Sequence, residues 1–178
     1  SNLNQSLMVQ SIDELIKPLT DVYDSLCSVK CEVIANGLTL NLLRRAHAFG
    51  LSLAKLDIRQ SAEKHLNLLA GITKHIGLGN YKEWTEEERI NFLSKEFESR
   101  RPLIPQNINL NKENLEVWQT FQMISKLPDE CLGAYVISMA SSVSDILAVL
   151  VLQKEAGIKN YLRTVPLFET YADLRNSD

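Results

Sequence analysis

The sequence predicts an α/β fold, rich in helix, with about three parallel strands. Three observations lead there. Residues 50–60, 134–140 and 162–169 are short, mostly apolar runs of strand length. Each ends in polar groups: Asp57, Arg59 and Gln60 in the first, a string of hydroxyls and Asp145 in the second, Glu169 in the third. The stretches between them repeat apolar residues at helical spacing. Strand, helices, strand, helix, strand is the connectivity of a parallel sheet with right-handed crossovers. Apolar runs bounded by polar residues suit strands buried on both faces. A charged group at the carboxyl end of such a strand is where α/β enzymes place ligands and catalytic groups. Arg59 and Glu169 are therefore expected on one shared rim.

The elements follow in order. Ile12, Leu15, Ile16, Leu19, Val22, Tyr23 and Leu26 form a helical stripe, with Ser11 as N-cap and Pro18 either kinking the helix or marking its start. Asn36-Gly37 punctuates, and residues 38–49 read as a second helix. After the first strand, residues 61–77 return to helical periodicity and stop at Gly77. Thr85 and Glu88 have capping-box spacing and open a helix to about Ser99. Residues 102–111 read as loop. Residues 112–126 form a helix with Leu115, Trp118, Phe121 and Ile124 inward, broken by Pro128-Asp129. Ser142 or Ser144 caps the helix after the second strand, which runs to Glu155 and ends at Ala156-Gly157.

Composition excludes several classes. A length of 178 residues with 45% hydrophobic and 23% charged residues describes one ordinary globular domain that can bury a core. A net charge of −3 gives no electrostatic case for nucleic acid. No apolar run reaches membrane-spanning length, and residues 1–10 lack the basic start and apolar centre of a signal peptide. Cys27, Cys31 and Cys131 complete no zinc spacing and read as buried free thiols, which fits a reducing, cytoplasmic setting. His47, His65 and His75 are too scattered for a metal motif and read as structural or solvent-facing.

Each candidate site residue has two readings. Arg59 can bind phosphate or carboxylate through its planar guanidinium, or pair with Asp57, Glu63 or Glu169. Glu169 offers hard carboxylate oxygens suited to magnesium or manganese, or interacts with the dipole of a following helix. Asp57 can orient Arg59, flanked by Gln60, or form a polar pair within the sheet. Ser138, Ser141, Ser142, Ser144 and Asp145 can hydrogen-bond an oxyanion, or simply cap a helix. No base accompanies any of these serines, which argues against a hydrolase.

The motifs carry a resemblance. L-D-I-R-Q at residues 56–60, A-Y-V-I-S-M-A-x-x-x-S-D at 134–145 and V-P-L-F-E-T at 165–170 occur in the order found in the middle of phosphoenolpyruvate carboxylases. I-A-N-G at 34–37, L-R-R at 43–45 and S-x-R-P-L at 99–103 add to it, so the chain resembles that family from about residue 15 to 174. The resemblance implies a partial (β/α) TIM-type barrel with extra helices, residues 1–49 helical and 50–178 forming the strand/helix part. It implies an enzyme that carboxylates phosphoenolpyruvate with bicarbonate, giving oxaloacetate and phosphate. It further implies Arg59 on the phosphate, Glu169 on magnesium or manganese with a partner aspartate later in the chain, and a homotetramer at full length. Ser61, Val143 and Tyr171 depart from the family pattern. The family's T-A-H-P-T-E and F-H-G-R-G-G segments, which carry its catalytic histidine and arginines, are missing from these residues, so the chain alone is expected to be inactive. Two rivals remain: another phosphoenolpyruvate-using barrel enzyme, which a nucleotide-binding segment would favour, and a non-catalytic interaction module.

Overall fold

A computed structural model describes residue 9 and residues 11–175. The signal-peptide reading falls almost wholly on residues outside that set. The chain forms two compact units, one ending at Lys55 and one beginning at Leu56.

The first unit is helical. Helix α1 (Ile12–Ser28) starts after Ser11 and includes Pro18, so that proline does not mark the helix start. A three-residue helix α2 (Glu32–Ile34) leads into a π-turn at Ala35–Thr39, where Gly37 leaves helical geometry (φ −82°, ψ −116°), and then into α3 (Leu40–Phe49). The Asn36-Gly37 break is thus a kink between helices. The Tyr23 hydroxyl donates to Asn36 Oδ1 at 3.0 Å and ties α1 to the turn. The expected strand at residues 50–55 is absent. Gly50 takes a positive φ of 59° as it closes α3, and Leu51 and Leu53 face solvent. With no partner strand beside it, an apolar run has nothing to bond its backbone groups and remains a turn.

The second unit holds the sheet. Strands β1 (Leu56–Ser61), β2 (Leu132–Ser138) and β3 (Thr164–Pro166) are parallel and lie in the order β1-β2-β3. Helix α4 (Ala62–His75) follows β1, and Gly77 (φ 80°) lets the Leu78 N–H reach back to Thr73 O at 2.9 Å. Helix α5 (Glu86–Glu98) opens with the expected Thr85–Glu88 capping box. Helix α6 (Lys112–Ile124) is capped by Asn111, and helix α7 (Val143–Glu155) starts after Ser142. A single turn α8 (Tyr171–Arg175) follows β3.

Burial is one-sided, contrary to the expectation of strands covered on both faces. Strand neighbours in register point the same way. Ile58, Tyr135 and Ile137 belong to the hydrophobic core, packed with Leu68 and Ile72 of α4, Phe121 of α6 and Val149 and Leu152 of α7. Arg59, Val136 and Val165 form a row on the other face, which is half-exposed. On α6 the inward residues are Asn114, Val117, Trp118, Phe121 and Ile124; Leu115 is exposed. The three cysteines are free but only half-buried.

One imidazole lies in the core. His65 is buried, with Nε2 2.8 Å from the Tyr135 hydroxyl, and its ring meets Phe121 edge-on. Its Nδ1 has no hydrogen-bond partner among the described residues. Burial pushes its pKa down from 6.5 to about 4. The folded chain therefore refuses a proton that the unfolded chain accepts near its ordinary value, so stability present above pH 6.5 is lost as pH falls toward 4. Replacing His65 by Gln keeps a hydrogen-bonding side chain that cannot titrate. In urea unfolding at pH 7.5 and 5, the wild type should lose about 2 kcal/mol more than His65→Gln. Equal losses would show that His65 is protonated within the fold.

Candidate active-site rim

Arg59 and Glu169 meet. The Arg59 Nη2 donates to Glu169 Oε1 at 2.8 Å, across 110 residues of sequence. Arg59 lies near the carboxyl end of β1, level with Val136 of β2, and Glu169 lies three residues past the end of β3. The ion pair thus spans the central strand on the open face of the sheet, and both groups occupy one rim. Their side chains are 60% and 38% exposed, so solvent screens the pair and it adds little to stability. Of the three acids weighed as partners for Arg59, Glu169 is the one it engages.

Local structure places these groups. The ladder between β1 and β2 is interrupted: Leu56 faces Leu132, but Ile58 faces Tyr135, leaving one extra residue on β2. Asp57 closes that gap, its Oδ1 accepting from the Ala134 N–H at 2.7 Å. Of the two readings of Asp57, the polar contact within the sheet is the one this bond bears out, since the carboxylate serves the β2 backbone. Gln60 turns back locally, its Oε1 accepting from the Ser61 N–H at 3.1 Å. Ser138 is half-buried at the carboxyl end of β2, opposite Ser61 and between the strands that bear Arg59 and Glu169.

Helix capping accounts for most of the hydroxyl-rich segment. Asp145 Oδ2 accepts from the N–H groups of Ser141 and Ser142 at 2.9 and 3.1 Å. Glu86, in the first turn of α5, reaches the start of α7: its Oε1 accepts from the Ser144 N–H at 2.9 Å and its Oε2 from the Ser144 hydroxyl at 2.7 Å. A carboxylate of the chain itself therefore holds the position where an oxyanion was weighed. The α8 start is closed in the same manner. Asp173 Oδ2 accepts from the N–H groups of Thr170 and Glu169 at 2.8 and 2.9 Å, and these bonds hold its pKa below the usual carboxylate range. Capping thus falls to Asp173, which leaves the Glu169 carboxylate free to face Arg59.

Three positioning residues on α7 had no sequence signal beyond their type. Gln153 is fully buried on α7, accepts from the Leu162 N–H at 2.7 Å and donates to Leu162 O at 3.2 Å and Thr164 Oγ1 at 3.3 Å, which fixes the start of β3. Glu155 accepts from the Leu103 and Ile104 N–H groups at 2.6 and 3.1 Å, and Lys154 donates to the Glu96 and Ser99 carbonyls; together they pin the S-x-R-P-L segment against the end of α7.

A divalent cation such as magnesium needs several converging oxygens. Glu169 supplies one hard, half-exposed carboxylate, and no cluster of three or more metal-ligating side chains occurs among the described residues. Glu169 fits as one ligand of an ion that takes its other oxygens from water, substrate or further acids.

A helix-backed parallel sheet with charged groups gathered at the carboxyl ends of its strands is the layout of an α/β enzyme domain. The sequence matches the phosphoenolpyruvate carboxylase family along residues 1–178, and the chain belongs to that family. It is 47% identical to the phosphoenolpyruvate carboxylase of Acinetobacter baumannii over 178 residues, covering 96% of this chain and 20% of that protein. It is 45% identical to the C4 phosphoenolpyruvate carboxylase of Flaveria trinervia over 174 residues, covering 98% of this chain and 18% of the relative. Phosphoenolpyruvate carboxylase 2 of Arabidopsis thaliana is 45% identical over 177 residues, again covering 18% of its length. The chain thus spans about a fifth of the curated relatives it matches. No helix among the described residues is long and apolar enough to cross a membrane.

The register beneath the rim depends on a close approach. A Cβ at Gly133 would lie 2.2 Å from Asp57 Oδ1, so Gly133→Ala must expel the carboxylate from the Ala134 N–H. The loss of that charge-assisted bond should cost about 1–3 kcal/mol in urea unfolding. In an Asp57→Ala background the same substitution should cost far less. Equal costs in both backgrounds would show that Asp57 does not hold the bulge.

Proposed function

We propose that this chain forms the first strands of a (β/α) barrel in a phosphoenolpyruvate carboxylase, and that Arg59 and Glu169 are parts of its substrate and metal sites. The ion pair at the carboxyl-end rim carries the reading: it joins a phosphate-binding side chain to a hard oxygen ligand on the open face of the sheet. The sequential order β1-β2-β3, with the core on one face alone, suits a sheet that closes into a barrel. The parent reaction joins bicarbonate to phosphoenolpyruvate, giving oxaloacetate and phosphate, in a reducing cytoplasm and in a homotetramer.

The residues divide the work by their chemistry. The Arg59 guanidinium presents two parallel N–H donors to the phosphate oxygens and offsets the charge that collects there as the phosphoryl group moves. Glu169 supplies a carboxylate oxygen to magnesium or manganese. Held there, the cation would supply positive charge that offsets the negative charge developing on the substrate. Ser138 offers a hydroxyl between the two. Asp57, Gln60 and Asp145 act through the backbone, holding the strand and helix ends in place. The second acid of the metal site and the group that assists carboxylation come from outside these residues, so the chain by itself is inactive. The family match favours carboxylation over the phosphoryl transfer of a pyruvate kinase.

In the full-length protein, Arg59→Ala should lower kcat/KM for phosphoenolpyruvate by an amount on the order of 2–5 kcal/mol, and Arg59→Lys by less, without full recovery. A lysine restores charge but not two fixed hydrogen bonds. Steady-state kinetics beside thermal unfolding would separate this from a folding defect. Unchanged kinetics in Arg59→Ala would reduce the residue to a structural ion pair.

A further inference from the structure

We propose that Glu169 is an internal counter-ion that occupies the phosphate position on Arg59 until a divalent cation draws it away. The inference rests on the reading of Arg59 as a phosphate ligand. Glu169 Oε1 sits 2.8 Å from Arg59 Nη2, where a phosphate oxygen would bind. Arg59 has no other acid bonded to it among the described residues: Asp57 is turned to the Ala134 N–H. Among the other acids at this end of the sheet, Glu86, Asp145 and Asp173 are committed to backbone N–H groups of the helix starts, and Glu63, in the first turn of α4, makes no ion pair with Arg59.

Glu169 also has no competing claim on its carboxylate. Asp173, not Glu169, caps α8, so the Glu169 side chain can leave Arg59 without breaking the fold. Because the pair is exposed, opening it is inexpensive and the exchange is reversible. An anion arriving without metal must displace Glu169 from Arg59. A cation bound by Glu169 removes the competitor and adds its own positive charge nearby. The two ligands then bind cooperatively through one shared side chain, and by linkage each tightens the other by the same factor.

Removing a metal ligand should therefore improve anion binding when no metal is present. The test is calorimetric titration of inorganic phosphate into the full-length protein, first with chelator and then with saturating magnesium. Without metal, Glu169→Gln and Glu169→Ala should both bind phosphate about two- to fivefold tighter than wild type. With magnesium, the wild type should tighten and both variants should not. The gain should vanish when Arg59→Gln is combined with Glu169→Gln. If Arg59→Gln weakens phosphate binding while both folded Glu169 variants, checked by circular dichroism, leave it unchanged or weaker, the counter-ion role fails and the phosphate role stands. If Arg59→Gln leaves phosphate binding unchanged, the phosphate role fails and takes the counter-ion with it.

Discussion

The register of β2 against its two neighbours is the constraint on which the rest depends. Arg59, Val136 and Val165 share one level of the sheet because the three strands are parallel and staggered as they are. A slip of one residue would turn a strand's side chains to the other face, and in β1 it would send Arg59 into the core. Two polar side chains hold the stagger. Asp57 bonds the backbone of β2 where the bulge interrupts the ladder, and Gln153 bonds the backbone ahead of β3 from within the core. Each supplies a hydrogen bond that the ladder cannot supply at that point, so each converts a gap in the sheet into a fixed position.

With the stagger fixed, the rim sorts its charges by what else they could do. Helix starts leave backbone N–H groups without partners, and those groups attract carboxylates. Glu86, Asp145 and Asp173 answer them. That leaves Arg59 and Glu169 as charges held by each other across β2. An exposed pair of this kind contributes little to folding, which leaves both side chains able to exchange partners. The chemistry expected of a phosphoenolpyruvate carboxylase needs such groups: one that can take a phosphate and one that can take a cation.

Much of this was legible in the sequence. Capping patterns at Thr85 and Ser142 and the stop at Gly77 are local effects, and local effects survive folding. Arg59 and Glu169 were legible as strand-end charges, although sequence could not choose among Asp57, Glu63 and Glu169 as the partner. That choice is made by the order of strands, a long-range property. The run at residues 50–55 misled because apolar content signals burial without naming a strand partner, and Gly50 diverts the backbone first. The partner of Asp57 was not legible because the bulge that frees the Ala134 N–H lies on β2, 77 residues away. Glu86 and Gln153 were silent: one is an ordinary acid in a helix's first turn, the other an ordinary amide, and their partners lie 58 and 9 residues away.

The central claim is that Arg59 and Glu169 form one site, with the cation held on Glu169 beside the guanidinium. Arginine side-chain nitrogen NMR on the full-length protein tests it directly, with manganese as a paramagnetic probe. Manganese broadens nuclei close to it steeply with distance. Titrating the ion should broaden the Arg59 guanidinium signal before those of other arginines, and Glu169→Gln should abolish that effect. An Arg59 signal that stays sharp at saturating manganese, or one that broadens equally in Glu169→Gln, would contradict the account.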